Sequence, residues 1–227
     1  MNRDEELVEY LDDLAQFGAA IVVNTPTQSG TALKFAEHVG IVREVAFGKI
    51  HDVFNNPDGY NVAHTASALP PHTDLASYPY PPSGQLLHYI VNDVEGGATI
   101  LVDGWHIAET IKATDPDAYQ LLCQTRIPFQ IFSKDKDTQS LEPIIGLHPD
   151  GRSRIVRFSN QTALPFTLAP ELIDAYYQAY QSFGRLATGL QPRIRKASST
   201  RRLCGMGRHD GQSASDSGPR TDVCLAC

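Results

Sequence analysis

The apolar runs of this chain are short, and turn-forming residues close them. Ala19–Val23 stops at Asn24-Thr25-Pro26, and residues 85–91 and 98–102 flank Glu95-Gly96-Gly97. Residues 127–132, 144–147 and 154–158 are further β-rich runs, the last two joined by Pro149-Asp150-Gly151. Runs of this length bounded by Gly, Pro and Asn predict short strands in a mainly β domain rather than a helical bundle. Helical periodicity appears beside them. Leu7, Leu11 and Leu14 repeat at helical spacing before Phe17-Gly18, and Ser29 is placed to cap a helix whose apolar face is Ala32, Phe35, Ala36 and Val39, stopped by Gly40. Asp115-Pro116 predicts a helix over 116–123, with Pro at its first position. Pro170 opens the longest helix, with Leu172, Ala175, Tyr176, Ala179, Phe183 and Leu186 on one face down to about Ala187.

Composition narrows the class. Hydrophobic residues make up 41% and charged residues 20%, the balance of a folded globular chain. No apolar run approaches the ~18 residues of a membrane helix, and residues 1–6 are acidic where a targeting peptide would be basic. A cytoplasmic protein is expected. The net charge of −7 argues against nucleic acid or an anionic membrane as partner. Residues 190–227 carry seven Lys or Arg against three Asp, a local +4 that leaves −11 for residues 1–189. Ser, Arg and Gly dominate 196–217, and so few large apolar side chains cannot offset the entropy of ordering. The expectation is a folded domain over 1–189 and a divergent, disordered tail over 190–227. Of the four cysteines, Cys204, Cys224 and Cys227 lie in that tail and Cys123 in a helical pattern, so a disulfide framework is not indicated.

One triplet carries metal chemistry. In His72-Thr73-Asp74 the alternate residues of a strand end would face the same side, where an imidazole and a carboxylate can share one ion. Two histidines and a carboxylate on one octahedral face are the ligand set of non-haem Fe(II) oxygenases. His148-Pro149-Asp150 has the same spacing, but Pro149 and Gly151 make it a hairpin turn. Spacing alone favours a structural role for either triplet. Cys224-Leu225-Ala226-Cys227 lacks a second ligand pair.

Context singles out His72. Asn61-Val62-Ala63-His64-Thr65, Leu69-Pro70-Pro71-His72-Thr73-Asp74, Pro81-Pro82-Ser83-Gly84-Gln85-Leu86-Leu87-His88, Gly96-Gly97-Ala98-Thr99-Ile100-Leu101-Val102-Asp103-Gly104 and Arg154-Ile155-Val156-Arg157-Phe158-Ser159-Asn160 occur in this order. Together they resemble the γ-butyrobetaine hydroxylase and trimethyllysine dioxygenase family, within the wider taurine-dioxygenase-like group, over about residues 14–187. The resemblance implies a double-stranded β-helix, or jelly roll, with flanking helices, binding Fe(II) with 2-oxoglutarate as cosubstrate and hydroxylating a small molecule. It implies that His72 and Asp74 are the first two iron ligands and that Thr99 helps to hold 2-oxoglutarate, although an ordinary strand Thr fits Thr99 equally well. Phe47, His51 and His64 stand where the family encloses a trimethylammonium group with aromatic rings, and the two histidines make a weaker, titratable cage.

The family continues after its long helix with strands and a His-Gly-Arg motif that supplies the third iron ligand and an Arg for 2-oxoglutarate. The later part of this chain has no such motif, so the jelly roll is expected to be incomplete at the C-terminus, and His209, in Gly207-Arg208-His209-Asp210-Gly211, is the remaining candidate ligand. Two rival readings follow: a catalytically inactive paralogue or misread product acting as a binding protein, and a cupin-like metal binder completed by His88 or His106.

Overall fold

The computed structural model describes residues 3–54, 68–91, 99–133, 136–189, 202–206 and 221–226, the last two stretches by their backbone pairing. In chain order the elements are α1 (Arg3–Phe17), β1 (Ala19–Val23), α2 (Thr31–Val39), β2 (Ile50–Val53), β3 (Gly84–Tyr89), α3 (Gly104–Thr114) and α4 (Pro116–Gln124). There follow β4 (Ile127–Ser133), β5 (Lys136–Glu142), β6 (Ile145–Leu147), β7 (Ser153–Val156), α5 (Pro170–Gly189), β8 (Arg202–Met206) and β9 (Thr221–Ala226). Among the described residues no helix is long and apolar enough to cross a membrane.

The described chain forms two compact units. One comprises Met1–Leu69, Pro82–Ile100 and Arg195–Cys227, the other Pro70–Pro81 and Leu101–Ile194. The first unit is built on a five-stranded sheet in the order β1-β8-β3-β9-β2 with antiparallel neighbours throughout. Strands β8 and β9 therefore lie in the segment expected to be disordered. Each fills a place between strands from the first half of the chain, with Leu87 opposite Cys204 on one side and Val223 on the other. Backbone pairing does not require the apolar side chains on which the compositional argument rested.

The centre of that sheet is buried on both faces. Gln85, Leu86, Leu87 and His88 are all buried, as a strand flanked by neighbours and covered above and below should be. At the edge, β1 buries only Ala20. Helix α2 packs Ala32 and Ala36 against Val42 and Leu86, and Phe35 meets the ring of Tyr10 edge-on at 5.1 Å. Its N-cap is Gly30 at φ 83, not Ser29, and no side chain caps it.

In the second unit, α3, α4 and α5 enclose one core with β4, β6 and β7, in which Ile107, Leu122, Ile127, Phe129, Ile144, Ile145 and Tyr176 are buried. The strand expected over 98–102 is represented among the described residues only by an isolated bridge at Ile100, and α3 follows it, with Asp103 as the N-cap whose carboxylate accepts from Trp105 N and His106 N at 2.9 and 3.0 Å. Helix α4 begins as expected, with the Asp115 carboxylate accepting from Ala118 N at 3.0 Å and Pro116 in the first turn. Strands β4 and β5 form a hairpin, and β6 and β7 a second one whose turn contains Gly151 at φ 81. Helix α5 lays Tyr176, Ala179, Phe183 and Ala187 into the core.

Strand β4 exposes one aromatic ring and buries another. Phe129 is fully buried while Phe132 is 74% exposed. Phe129→Ala should cost about 3–5 kcal/mol in urea unfolding, and Phe132→Ala under about 0.5 kcal/mol. Equal losses would contradict this orientation of the strand.

Burial pushes the Tyr180 hydroxyl up to about 12, with Tyr177 adding to the effect, and burial raises Tyr176 further. The unfolded chain loses these protons near the ordinary value of 10.0. Between that value and about 12 the folded state binds more protons than the unfolded one, so stability should fall as pH rises through this window. Urea unfolding at about pH 9 and about pH 11 measures the decline, which Tyr180→Phe should make shallower.

Candidate metal centre

Prolines define the segment that carries His72 and Asp74. Pro70, Pro71, Pro79, Pro81 and Pro82 remove backbone donors and disfavour helix, and residues 70–81 run as turns and bends between described strands. The triplet is therefore not at a strand end. A side-chain clip takes the place of a strand ladder: Thr73 N donates to Phe158 O at 2.7 Å, the Thr73 hydroxyl donates to the same oxygen at 3.3 Å, and Phe158 N donates to Thr73 Oγ1 at 2.9 Å. With Thr73 engaged on Phe158, its two neighbours meet each other. His72 Nε2 lies 3.1 Å from Asp74 Oδ1.

The imidazole orientation is determined by its other nitrogen. A carbonyl can only accept, so Nδ1 carries a proton toward Pro70 O at 2.9 Å and Nε2 faces the carboxylate. Two ligands at adjacent corners of an octahedron, each about 2.0–2.2 Å from the ion, lie about 3.0 Å apart. The observed separation of 3.1 Å fits that edge, and an imidazole nitrogen beside a carboxylate oxygen suits non-haem iron. The His72 side chain is 15% exposed and that of Asp74 38%, so solvent reaches the pair from the carboxylate side. Among the described residues no group of three or more His, Cys, Asp or Glu is arranged to hold an ion.

The turn after Asp74 is strained. Leu75 has φ 52, the left-handed region, which costs a side-chain-bearing residue about 1–2 kcal/mol. Its side chain is buried, and Tyr78 N donates back to Leu75 O at 2.9 Å. Strand β5 supports this turn: Ser140 Oγ donates to Ala76 O at 2.8 Å, and the hydroxyls of Ser77 and Thr138 share a hydrogen bond of 2.8 Å.

Thr99, Phe47 and His51 belong to the unit that contains the five-stranded sheet, and His72 and Asp74 to the other. The Thr99 hydroxyl is hydrogen-bonded to the hydroxyl of Tyr89, which ends β3, a partner that the sequence reading missed. Phe47 sits in a tight turn closed by Val45 and Gly48, where Gly48 at φ 90 has the freedom a side chain would remove. That turn brings its ring 5.9 Å from the ring of His51 in β2, tilted by 45°. His64 and His209 lie outside the described residues.

The other histidines give no second centre among the described residues. His88 is fully buried within β3, and the His106 backbone serves the cap of α3 at an exposed position. The His148 to Asp150 segment is the expected hairpin turn, with Gly151 N donating to His148 O at 2.9 Å. The Asp150 carboxylate is held by Arg152 Nε at 2.8 Å and Nη2 at 2.7 Å, and this pairing lowers its pKa.

Comparison with known proteins places these features in a family. The model of the taurine catabolism dioxygenase TauD, TfdA family matches residues 1–195. The gamma-butyrobetaine dioxygenase of Pseudomonas sp. (strain AK-1) is 35% identical over 183 residues, 81% of this chain and 48% of that protein. The chain thus spans about half the length of the curated relatives it matches. Among solved structures, a taurine dioxygenase from Burkholderia xenovorans superposes with a TM-score of 0.70 at 11% identity, covering 100% of this chain and 82% of that one. The non-heme iron oxygenase OrfP in complex with Fe and alpha-ketoglutaric acid superposes with a TM-score of 0.65 at 12% identity, covering 100% and 80%. The family match and the shared architecture agree: this chain belongs to the TauD/TfdA dioxygenase family and has the fold of the taurine-dioxygenase-like oxygenases.

Proposed function

We propose that this chain works as an Fe(II)- and 2-oxoglutarate-dependent dioxygenase that hydroxylates a small betaine- or amino-acid-like substrate within a double-stranded β-helix. The observation that carries the reading is the 3.1 Å approach of His72 Nε2 to Asp74 Oδ1, with Nδ1 committed to the Pro70 carbonyl. Family membership and the iron-bound structure of OrfP support the choice of cofactor and cosubstrate.

Bound Fe(II), with O2 and 2-oxoglutarate, supplies the oxidising power for C–H hydroxylation, the oxo-acid leaving as succinate and CO2. The residues of the chain bind and orient. His72 and Asp74 hold the metal, and the Pro70 carbonyl keeps the imidazole in the tautomer that presents Nε2. Thr99 donates its hydroxyl to a carboxylate of 2-oxoglutarate, and Tyr89 restricts the rotation of that hydroxyl. Phe47 and His51, whose rings lie 5.9 Å apart, face the substrate, with His64 the third member of that set; two imidazoles among the three make a weaker, titratable cage for a cationic head group than aromatic rings would. His209 is the remaining candidate for a third ligand.

The test follows succinate formation by the chain with Fe(II), ascorbate and 2-oxoglutarate, with γ-butyrobetaine or trimethyllysine as substrate. His72→Ala and Asp74→Ala should each abolish turnover, and His209→Ala should do the same if that residue completes the site. Turnover that survives both of the first two substitutions would overturn the metal assignment. Metal binding with no succinate from any substrate would favour the binding-protein reading.

Thr99→Val should act on cosubstrate rather than on chemistry. Losing one hydrogen bond to a charged oxygen costs about 1.5–3 kcal/mol, so the KM for 2-oxoglutarate should rise roughly tenfold to a hundredfold with kcat little changed. An unchanged KM would remove Thr99 from the cosubstrate site.

A further inference from the structure

Arg157 is a buried cation that the proposed chemistry leaves unused. It is 2% exposed and follows β7, where its backbone N–H donates to Ile144 O at 2.7 Å and continues the pairing with β6. Its guanidinium reaches away from that hairpin. Nη2 donates to Tyr78 O at 3.3 Å and to Pro79 O at 3.0 Å, while Nη1 lies 3.8 Å from Glu142 Oε2. Nε is buried without a hydrogen-bond partner among the described residues.

As a stabilising device this is a poor arrangement. One carboxylate at 3.8 Å offsets little of the cost of taking a guanidinium out of water, and an unpaired buried N–H adds to that cost. Burial lowers the guanidinium pKa, and Glu142 only partly opposes the shift. What the arrangement achieves is geometric. Thr138, Ser140 and Glu142 are alternate residues on the inward face of β5, and each serves the segment after Asp74: Thr138 bonds Ser77, Ser140 bonds Ala76 O, and Glu142 braces the Arg157 that grips Tyr78 and Pro79. Phe158, the next residue along, clips Thr73. The left-handed Leu75 thus lies between two anchored points, one before Asp74 and one beyond the turn.

We propose that Arg157, braced by Glu142, is a positioning residue that holds the strained turn after Asp74 and so sets the angle at which the Asp74 carboxylate meets the metal beside His72. The proposal rests on the metal-binding reading of His72 and Asp74. Arg is required because one nitrogen must serve two carbonyls while another faces a carboxylate; a Lys ammonium keeps the charge but not the fork.

The chain of residues 1–227 tests this with Arg157→Lys, Arg157→Met and Glu142→Gln, against wild type and His72→Ala. Three quantities are read: the thermal midpoint, amide hydrogen exchange over residues 72–80, and Co(II) affinity and visible absorption as a spectroscopic stand-in for Fe(II). Arg157→Lys should keep cooperative unfolding, raise exchange over residues 75–78 and weaken Co(II) binding by about tenfold, the usual effect of losing a residue that orients a ligand. Its Co(II) spectrum should also change. Glu142→Gln should move the same quantities less. If Arg157→Met fails to fold, the Lys and Gln variants still decide. Wild-type exchange, Co(II) affinity and spectrum in Arg157→Lys would overturn the proposal. Co(II) binding that His72→Ala leaves unchanged would instead overturn the metal reading, and the exchange comparison would still establish whether Arg157 orders the turn.

Discussion

Thr73 and Phe158 stand 85 residues apart in sequence, yet the Thr73 hydroxyl both accepts from Phe158 N and donates to Phe158 O. Thr73 N also donates to Phe158 O at 2.7 Å, so backbone is tied directly to backbone at this point of residues 70–81. The Phe158 ring lies 5.0 Å from the ring of Tyr180 and 4.9 Å from that of Phe183 on α5. Gly184 allows the helix this approach, since a Cβ there would stand 3.3 Å from the edge of the Phe158 ring. Burial of large aromatic side chains against α5, worth roughly 1.5–3 kcal/mol each, thus fixes a backbone position from which hydrogen bonds of about 1 kcal/mol each can direct His72 and Asp74. The larger, non-directional effect locates the site, and the smaller, directional ones orient it.

Strand β5 shows how a polar strand can serve the same end. Its sequence KDTQSLE has little of the β-branched or aromatic character expected of a strand, and the sequence reading passed over it. Its alternation is nevertheless regular, with Thr138, Ser140 and Glu142 inward and Asp137, Gln139 and Leu141 outward. Thr138 and Ser140 bond to a loop instead of packing in a core, and Glu142 faces Arg157. A satisfied polar face of this kind specifies one arrangement, since each displaced partner would leave a desolvated donor or acceptor. In the other unit, the Tyr89 and Thr99 hydroxyls form a similar small polar contact beside the apolar strand β3.

Much of the framework was legible because its causes are local. Pro170 and the 3.6-residue spacing from Leu172 to Leu186 locate α5, Asp115-Pro116 locates the start of α4, and Pro149-Asp150-Gly151 locates the β6–β7 turn. The choice of His72 and Asp74 as a pair was also local, since residues two apart face one side of an extended chain wherever that chain sits. Local signals failed where a residue has two roles open to it. Ser29 is a good cap, but Gly30 takes the position; the run at 98–102 reads as a strand, yet Asp103 directly after it caps α3. Each alternative is separated by about 1 kcal/mol of local preference, which tertiary contacts easily outweigh.

What the sequence by itself determined is the set of elements whose hydrogen bonds close within a few residues, together with the choice of His72 and Asp74 as the candidate pair. Tertiary structure alone decided that Thr73 would meet Phe158, that the inward face of β5 and Arg157 would hold the turn at Leu75, and that β8 and β9 would enter the sheet between strands from the other end of the chain. The physical reason is the same in each case. A strand edge, a hydroxyl or a guanidinium states what it can bond to but not which of many distant partners it will meet, and that choice is made when the whole chain buries its apolar surface and most enclosed polar groups find partners.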